Sequence, residues 1–108
     1  MTPGSPSRRW AYSAAKAGVI AFTEGLAKEL ALTGVSVNAI APTLFDTPLA
    51  QATIARAPKA MKIALEKIPM HRMGLPDEAA AMVAWLASQE CSFTTGFTFD
   101  LSGGRATH

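Results

Sequence analysis

A phenol and an ammonium stand four residues apart near the start of the chain, in Tyr12-Ser13-Ala14-Ala15-Lys16. On a helix that spacing puts both groups on one face. A free phenol titrates near pH ~10 and is almost wholly neutral at pH 7. A cation roughly 6 Å away, at an effective dielectric of ~20, is worth about 3 kcal/mol, or about two pKa units. Such a pair brings proton transfer within reach of neutral pH. By itself the spacing is unspecific, because Tyr and Lys meet four apart on many amphipathic helices. The remaining polar candidates point to structure. Cys91 is the single cysteine, so it has no internal disulfide partner and no zinc spacing. With no basic neighbour it reads as a buried or half-buried thiol. His71 has nothing to pair with and reads as a surface histidine, His108 is terminal, and Ser13 points off the Tyr12 face.

The elements that must position the Tyr–Lys pair follow from periodicity. Met1 to Arg9, with its Pro, Gly and Ser residues, reads as a loop. From Ala11 to about Thr33, Ala15, Val19, Phe22, Leu26 and Leu30 recur at three- and four-residue steps and predict an amphipathic helix. Gly34 supplies its stop. A second stripe, Ala14, Ala17, Gly18, Ala21 and Gly25, has almost no bulk and invites close approach by another helix. Val35 to Ala41 predicts a short buried strand ended by Pro42. Thr47-Pro48 reads as a helix cap followed by proline in the first turn. That opens a mobile helical stretch to about Lys67, broken near Pro58. Leu75-Pro76-Asp77-Glu78 starts another helix, with acids where the dipole favours them. Phe97, Phe99 and Leu101 alternate along a final strand after a turn at Thr94-Thr95-Gly96. The order helix, strand, helices, strand belongs to the α/β class, with two parallel strands joined by a right-handed crossover. Two strands make a poor sheet unaided, so an upstream part is expected to be missing.

Composition narrows the classes. The 108 residues are 49% hydrophobic and 17% charged, which excludes a disordered chain. The net charge of +2 comes from scattered bases, with Arg8-Arg9 the one adjacent pair, so there is no basic stripe for nucleic acid. No apolar run approaches the roughly 20 residues that span a bilayer, and no signal-peptide order precedes the first helix. A cytoplasmic, reducing setting is expected, with no membrane and no nucleic acid as partner.

Four segments together resemble the short-chain dehydrogenase/reductase family. Tyr12-Ser-Ala-Ala-Lys16-Ala-Gly-Val resembles its Y-x-x-x-K segment, and Val35-Ser-Val-Asn38-Ala-Ile-Ala-Pro42 the strand after it. Arg72-Met-Gly74-Leu-Pro76-Asp-Glu78 resembles its R-x-G-x-P-x-E helix start. Thr95-Gly96 to Gly103-Gly104 resembles its closing strand and turn, with Ser102 inserted in the loosest part. The resemblance implies the C-terminal part of a Rossmann-like, doubly wound parallel sheet, two strands with flanking helices, the N-terminal half absent. Residues 1–108 would then be a single partial domain. It implies NAD(P)-dependent interconversion of a carbonyl and an alcohol on a small-molecule substrate, with NAD or NADP as cofactor and a homo-oligomer as the complete protein. Tyr12 would act as general acid or base and Lys16 would hold the nicotinamide ribose hydroxyls. Pro42 and Leu44 would lie beside the nicotinamide, at the C-terminal end of a parallel strand. Thr47 would contact the carboxamide, and the helix-cap role drawn from the residues stands equally beside it. Asn38 is structural.

Three departures limit the expectation. Thr43 stands where the family has a glycine, so the turn beside the nicotinamide loses its most permissive residue. The family's catalytic serine precedes the tyrosine by more than Ser5 or Ser7 allows. No glycine-rich turn joins a strand to a helix, so the phosphates lack their cradle. The chain by itself is therefore expected to bind dinucleotide poorly, to be inactive, and to be aggregated, molten or rescued by self-association. A second reading from another class is a non-catalytic interaction module that associates with full-length relatives.

Overall fold

The computed structural model describes residues 9–106, Arg9 by its backbone only. The reading of Met1 to Arg9 as a loop falls, for residues 1–8, outside the described residues, as does the terminal His108, while Arg9 is the first residue of a helix. The elements run α1 (Arg9–Leu30), β1 (Ala39–Pro42), α2 (Pro48–Arg56), α3 (Pro58–Glu66), α4 (Pro76–Leu86) and β2 (Thr98–Leu101). A short 3-10 turn, Ala31–Thr33, tightens the end of α1, and Gly34 stops it at φ 85°, a left-handed conformation that glycine takes without steric cost.

β1 and β2 form a two-stranded sheet. The Ala39 N–H donates to the Phe97 carbonyl at 3.0 Å and the Thr43 N–H to the Leu101 carbonyl at 3.3 Å. Partner numbers rise together along the two strands, so the pair is parallel. The strand is shorter and later than the expected Val35 to Ala41, and Pro42 lies inside it. The cause is side-chain intrusion. The Val37 N–H donates to Thr95 Oγ1 at 3.0 Å, Asn38 Nδ2 donates to the Thr94 carbonyl at 3.2 Å, and Asn38 Oδ1 accepts from the Phe97 N–H at 3.2 Å. These bonds tie the two segments without a regular ladder. Pro42 is tolerated because Ala39 and Thr43 supply the N–H groups that reach β2, so the N–H that proline lacks would face away from that ladder.

The chain falls into two compact units, one formed by the stretch up to Ala39 with Phe93–Thr98, the other by Ile40–Ser92 with the stretch from Phe99 onward. In the first unit, α1 is seated by Thr23 and Ala27, which are 4% and 1% exposed. A β-carbon on Gly96, whose φ is 78°, would stand 3.3 Å from Ala27 Cβ, so the turn after Phe93 packs closely on that side of the helix. Every residue from Trp10 to Phe22 is exposed. The expected apolar stripe is present on α1, but its members Val19 and Phe22 remain 57% and 66% exposed.

In the second unit Ala50, Met61, Ile68 and Cys91 are buried, Ile68 being the largest fully enclosed side chain among the described residues. Cys91 thus matches the expectation of a buried thiol. Trp85 of α4 meets Phe99 of β2 edge-on, with ring centroids 6.5 Å apart and an interplanar angle of 80°. The break between α2 and α3 falls at Ala57, whose φ of −141° is non-helical, as the residue before a proline prefers.

Candidate active site

Tyr12 and Lys16 lie on one face of α1, in the first unit. Lys16 Nζ stands 5.6 Å from the centroid of the Tyr12 ring, an ammonium over a π-face. Tyr12 is 64% exposed. Among the described residues no hydrogen bond engages the phenol oxygen or the ammonium, so both are free to meet a ligand.

The second unit carries Pro42, Leu44 and Thr47. Pro42 is exposed at the end of β1, and Leu44 is half-buried. Thr47 Oγ1 accepts from the Ala50 N–H at 3.2 Å and caps α2, with Pro48 in the first turn. Accepting that bond leaves the hydroxyl hydrogen available to donate elsewhere. Thr43 costs the turn nothing in strain: among the described residues the one non-glycine with positive φ is His71, at 53°. His71 itself is exposed, as expected of a surface histidine.

Leu44 and Phe45 line a cleft of about 250 Å³ together with Ile68, Arg72, Gly74 and Ser102. Phe45 pairs with Gly74 in an isolated parallel bridge. The Gly74 N–H donates to the Leu44 carbonyl at 2.9 Å, and the Gly74 carbonyl accepts from the Asp46 N–H at 2.8 Å. Beside it, Arg72 grips Glu78 through both terminal nitrogens, at 2.8 and 2.9 Å. Glu78 also accepts from the Leu75 N–H at 2.8 Å, the reach-back half of a capping box. The Arg72 hydrogen bond, then the Leu75 amide and the nearby charge, pull the Glu78 carboxyl down to about 2, and Glu78 in turn raises the Arg72 guanidinium. The partnership of Phe45 with Gly74 was not visible in the sequence. Residues 29 positions apart carry no periodic signal of contact, and only the glycine two residues after Arg72 hinted at a close approach.

On α1 the phenol and ammonium meet each other through the ring face and make no hydrogen bond among the described residues. The phosphates find no cradle in the glycine pair after β2. A β-carbon on Gly103 would stand 2.7 Å from Ile68 Cγ2 and one on Gly104 3.1 Å from Pro69 Cγ, so both glycines serve close packing. Among the described residues there is also no cluster of three or more His, Cys, Asp or Glu able to hold a metal. No described helix is long and apolar enough to cross a membrane.

This chain belongs to the short-chain dehydrogenase/reductase family: residues 3–106 match the family described as enoyl-(acyl carrier protein) reductase. A 2-dehydro-3-deoxy-L-rhamnonate dehydrogenase (NAD(+)) from Sphingomonas sp. is 52% identical over 104 residues, which are 96% of this chain and 40% of that protein. The crystal structure of a 3-oxoacyl-[acyl-carrier protein] reductase from Brucella melitensis superposes with TM-score 0.82 at 39% identity, over 90% of this chain and 35% of that one. A short chain dehydrogenase family protein from Francisella tularensis superposes with TM-score 0.82 at 28% identity, over all of this chain and 46% of that one. The chain therefore spans less than half the length of these relatives, and the part it matches is the C-terminal part of their Rossmann fold.

Proposed function

We propose that this chain supplies the proton-transfer end of an NAD(P)-dependent oxidoreductase that interconverts a carbonyl and an alcohol on a small molecule. The observation that carries the reading is the free phenol and ammonium on one exposed face of α1, in a chain whose residues 3–106 match a reductase family. The 108 residues are taken as one partial domain of that enzyme, working in the cytoplasm as part of a homo-oligomer.

The cofactor, when bound, supplies or accepts the hydride. Tyr12 then gives its proton to the carbonyl oxygen as that oxygen gains charge, and takes it back in the oxidative direction. Lys16 holds ribose hydroxyls and steadies the phenolate left behind. Pro42 and Leu44 wall one side of the nicotinamide. Thr47 donates to the carboxamide while its oxygen caps α2. NAD and NADP serve equally in this scheme, because the residues that separate them read the adenosine ribose.

The test is an exchange. Residues 3–106 replace the matching segment of the 52%-identical Sphingomonas dehydrogenase, and turnover of that enzyme's substrate with NAD is measured. The proposal expects a folded chimera with turnover. A folded, cofactor-binding chimera without turnover would instead favour the non-catalytic interaction module, for which the exposed Trp10, Val19 and Phe22 of α1 are the specific observation.

A further inference from the structure

Gly74 holds more of the second unit in place than its size suggests. Its N–H and carbonyl bind Leu44 and Asp46, so that Phe45 is fixed between two backbone bonds. The peptide groups on either side of Gly74 are themselves held. Arg72 donates to the Met73 carbonyl at 3.0 Å while paired to Glu78, and Glu78 takes the Leu75 N–H at 2.8 Å. One ion pair thus clamps the backbone immediately before and after the glycine. The Phe45 ring completes the fastening. A β-carbon at position 74 would stand 2.8 Å from Phe45 Cε2 and Cζ and 3.0 Å from Cε1, closer than atoms in a packed interior approach. Any larger residue must push the ring, whose own backbone is flanked by the Leu44 and Asp46 bonds to Gly74.

We propose that Gly74, bracketed by the Arg72–Glu78 pair, is a positioning residue for the nicotinamide-facing segment Leu44–Thr47. The inference rests on the reading that Leu44 and Thr47 contact the nicotinamide. The clasp touches one segment only, so its loss is felt at the nicotinamide end of the cofactor and not at the adenosine diphosphate end. Its partner ring is also its weak point: Phe45→Leu removes all three crowded atoms while leaving the backbone bonds intact.

The experiment uses the same complete chimera and compares Gly74→Ala, Phe45→Leu and the double variant, each titrated with NADH and with ADP-ribose. Gly74→Ala is expected to weaken NADH about tenfold, a loss of about 1.4 kcal/mol, while ADP-ribose affinity stays within about twofold of the unsubstituted chimera. The double variant is expected to recover NADH binding, because the added methyl no longer meets a ring. Equal weakening of both ligands would mark a merely structural role and overturn the proposal. So would NADH binding unchanged in Gly74→Ala, or a double variant no better than the single one. If the unsubstituted chimera binds NADH no better than ADP-ribose and Leu44→Ala changes neither, the reading of Leu44 and Thr47 as nicotinamide contacts fails, and the positioning role with it.

Discussion

Gly18 and Gly25 sit in the interior of α1, where each costs about 0.8–1 kcal/mol relative to alanine. A β-carbon built at either position meets nothing within 4 Å. Replacing both by alanine therefore adds helix propensity at no steric cost within the chain. The two sites are seven residues apart, about 10 Å along the helix axis, so their effects add. The Gly18→Ala/Gly25→Ala variant is expected to gain about 1.5–2 kcal/mol in the 108-residue chain. The Gly18 share of the gain acts where it is most needed, because Trp10 to Phe22 is exposed throughout and an isolated helix of that length is marginal in water. Circular dichroism at the helical band through a urea titration reads the shift, and sedimentation velocity run alongside reads the association state. A raised midpoint with unchanged association is the expected result. A lowered midpoint, or loss of an oligomer present in the unsubstituted chain, would show that the small-residue flank is already packed against another copy, and the reasoning from open space would fail.

Three further outcomes follow from single contacts. Glu78 has its carboxyl at about 2 in the folded chain against an ordinary value of 4.5, so its contribution is full above about 4.5 and is lost as pH falls toward 2. The order of α4, followed by amide chemical shifts at Leu75 and Glu78, should fade in that window, and Glu78→Gln should flatten the dependence. Asn38→Ala removes two hydrogen bonds to Thr94 and Phe97 and should cost about 1–3 kcal/mol in a urea melt; Asn38→Asp, which keeps the acceptor, should fall between. Ile68→Ala empties the largest enclosed side chain and should cost about 2–5 kcal/mol, and a loss under about 1 kcal/mol would show that the site collapses around Gly103.

The parts of the fold legible in the sequence are those set by local chemistry. Gly34 marks the end of the first helix because few other residues take its φ, Pro58 marks the α2–α3 break through the residue before it, and Thr47-Pro48 announces a cap that the structure contains. The strand boundary was misjudged because Asn38 and Thr95 replace ladder bonds with side-chain bonds, and their partners lie more than fifty residues away. The Phe45–Gly74 clasp was invisible for the same reason of distance. Burial of the α1 stripe was also beyond reach. Periodicity tells that Val19 and Phe22 share a face, and it is silent on whether anything covers that face. Of the site, the Tyr12–Lys16 pair was readable because four-residue spacing on a helix is a local geometric fact.

The measurement that bears most directly on the central claim is turnover of the complete chimera carrying Tyr12→Phe, with cofactor affinity measured on the same sample. If Tyr12 moves the proton, the rate of carbonyl–alcohol conversion should fall by about 10²–10⁴-fold while the protein stays folded and NAD binding is retained. Retention of turnover within about threefold of the unsubstituted chimera would contradict the assignment of Tyr12 as the proton carrier.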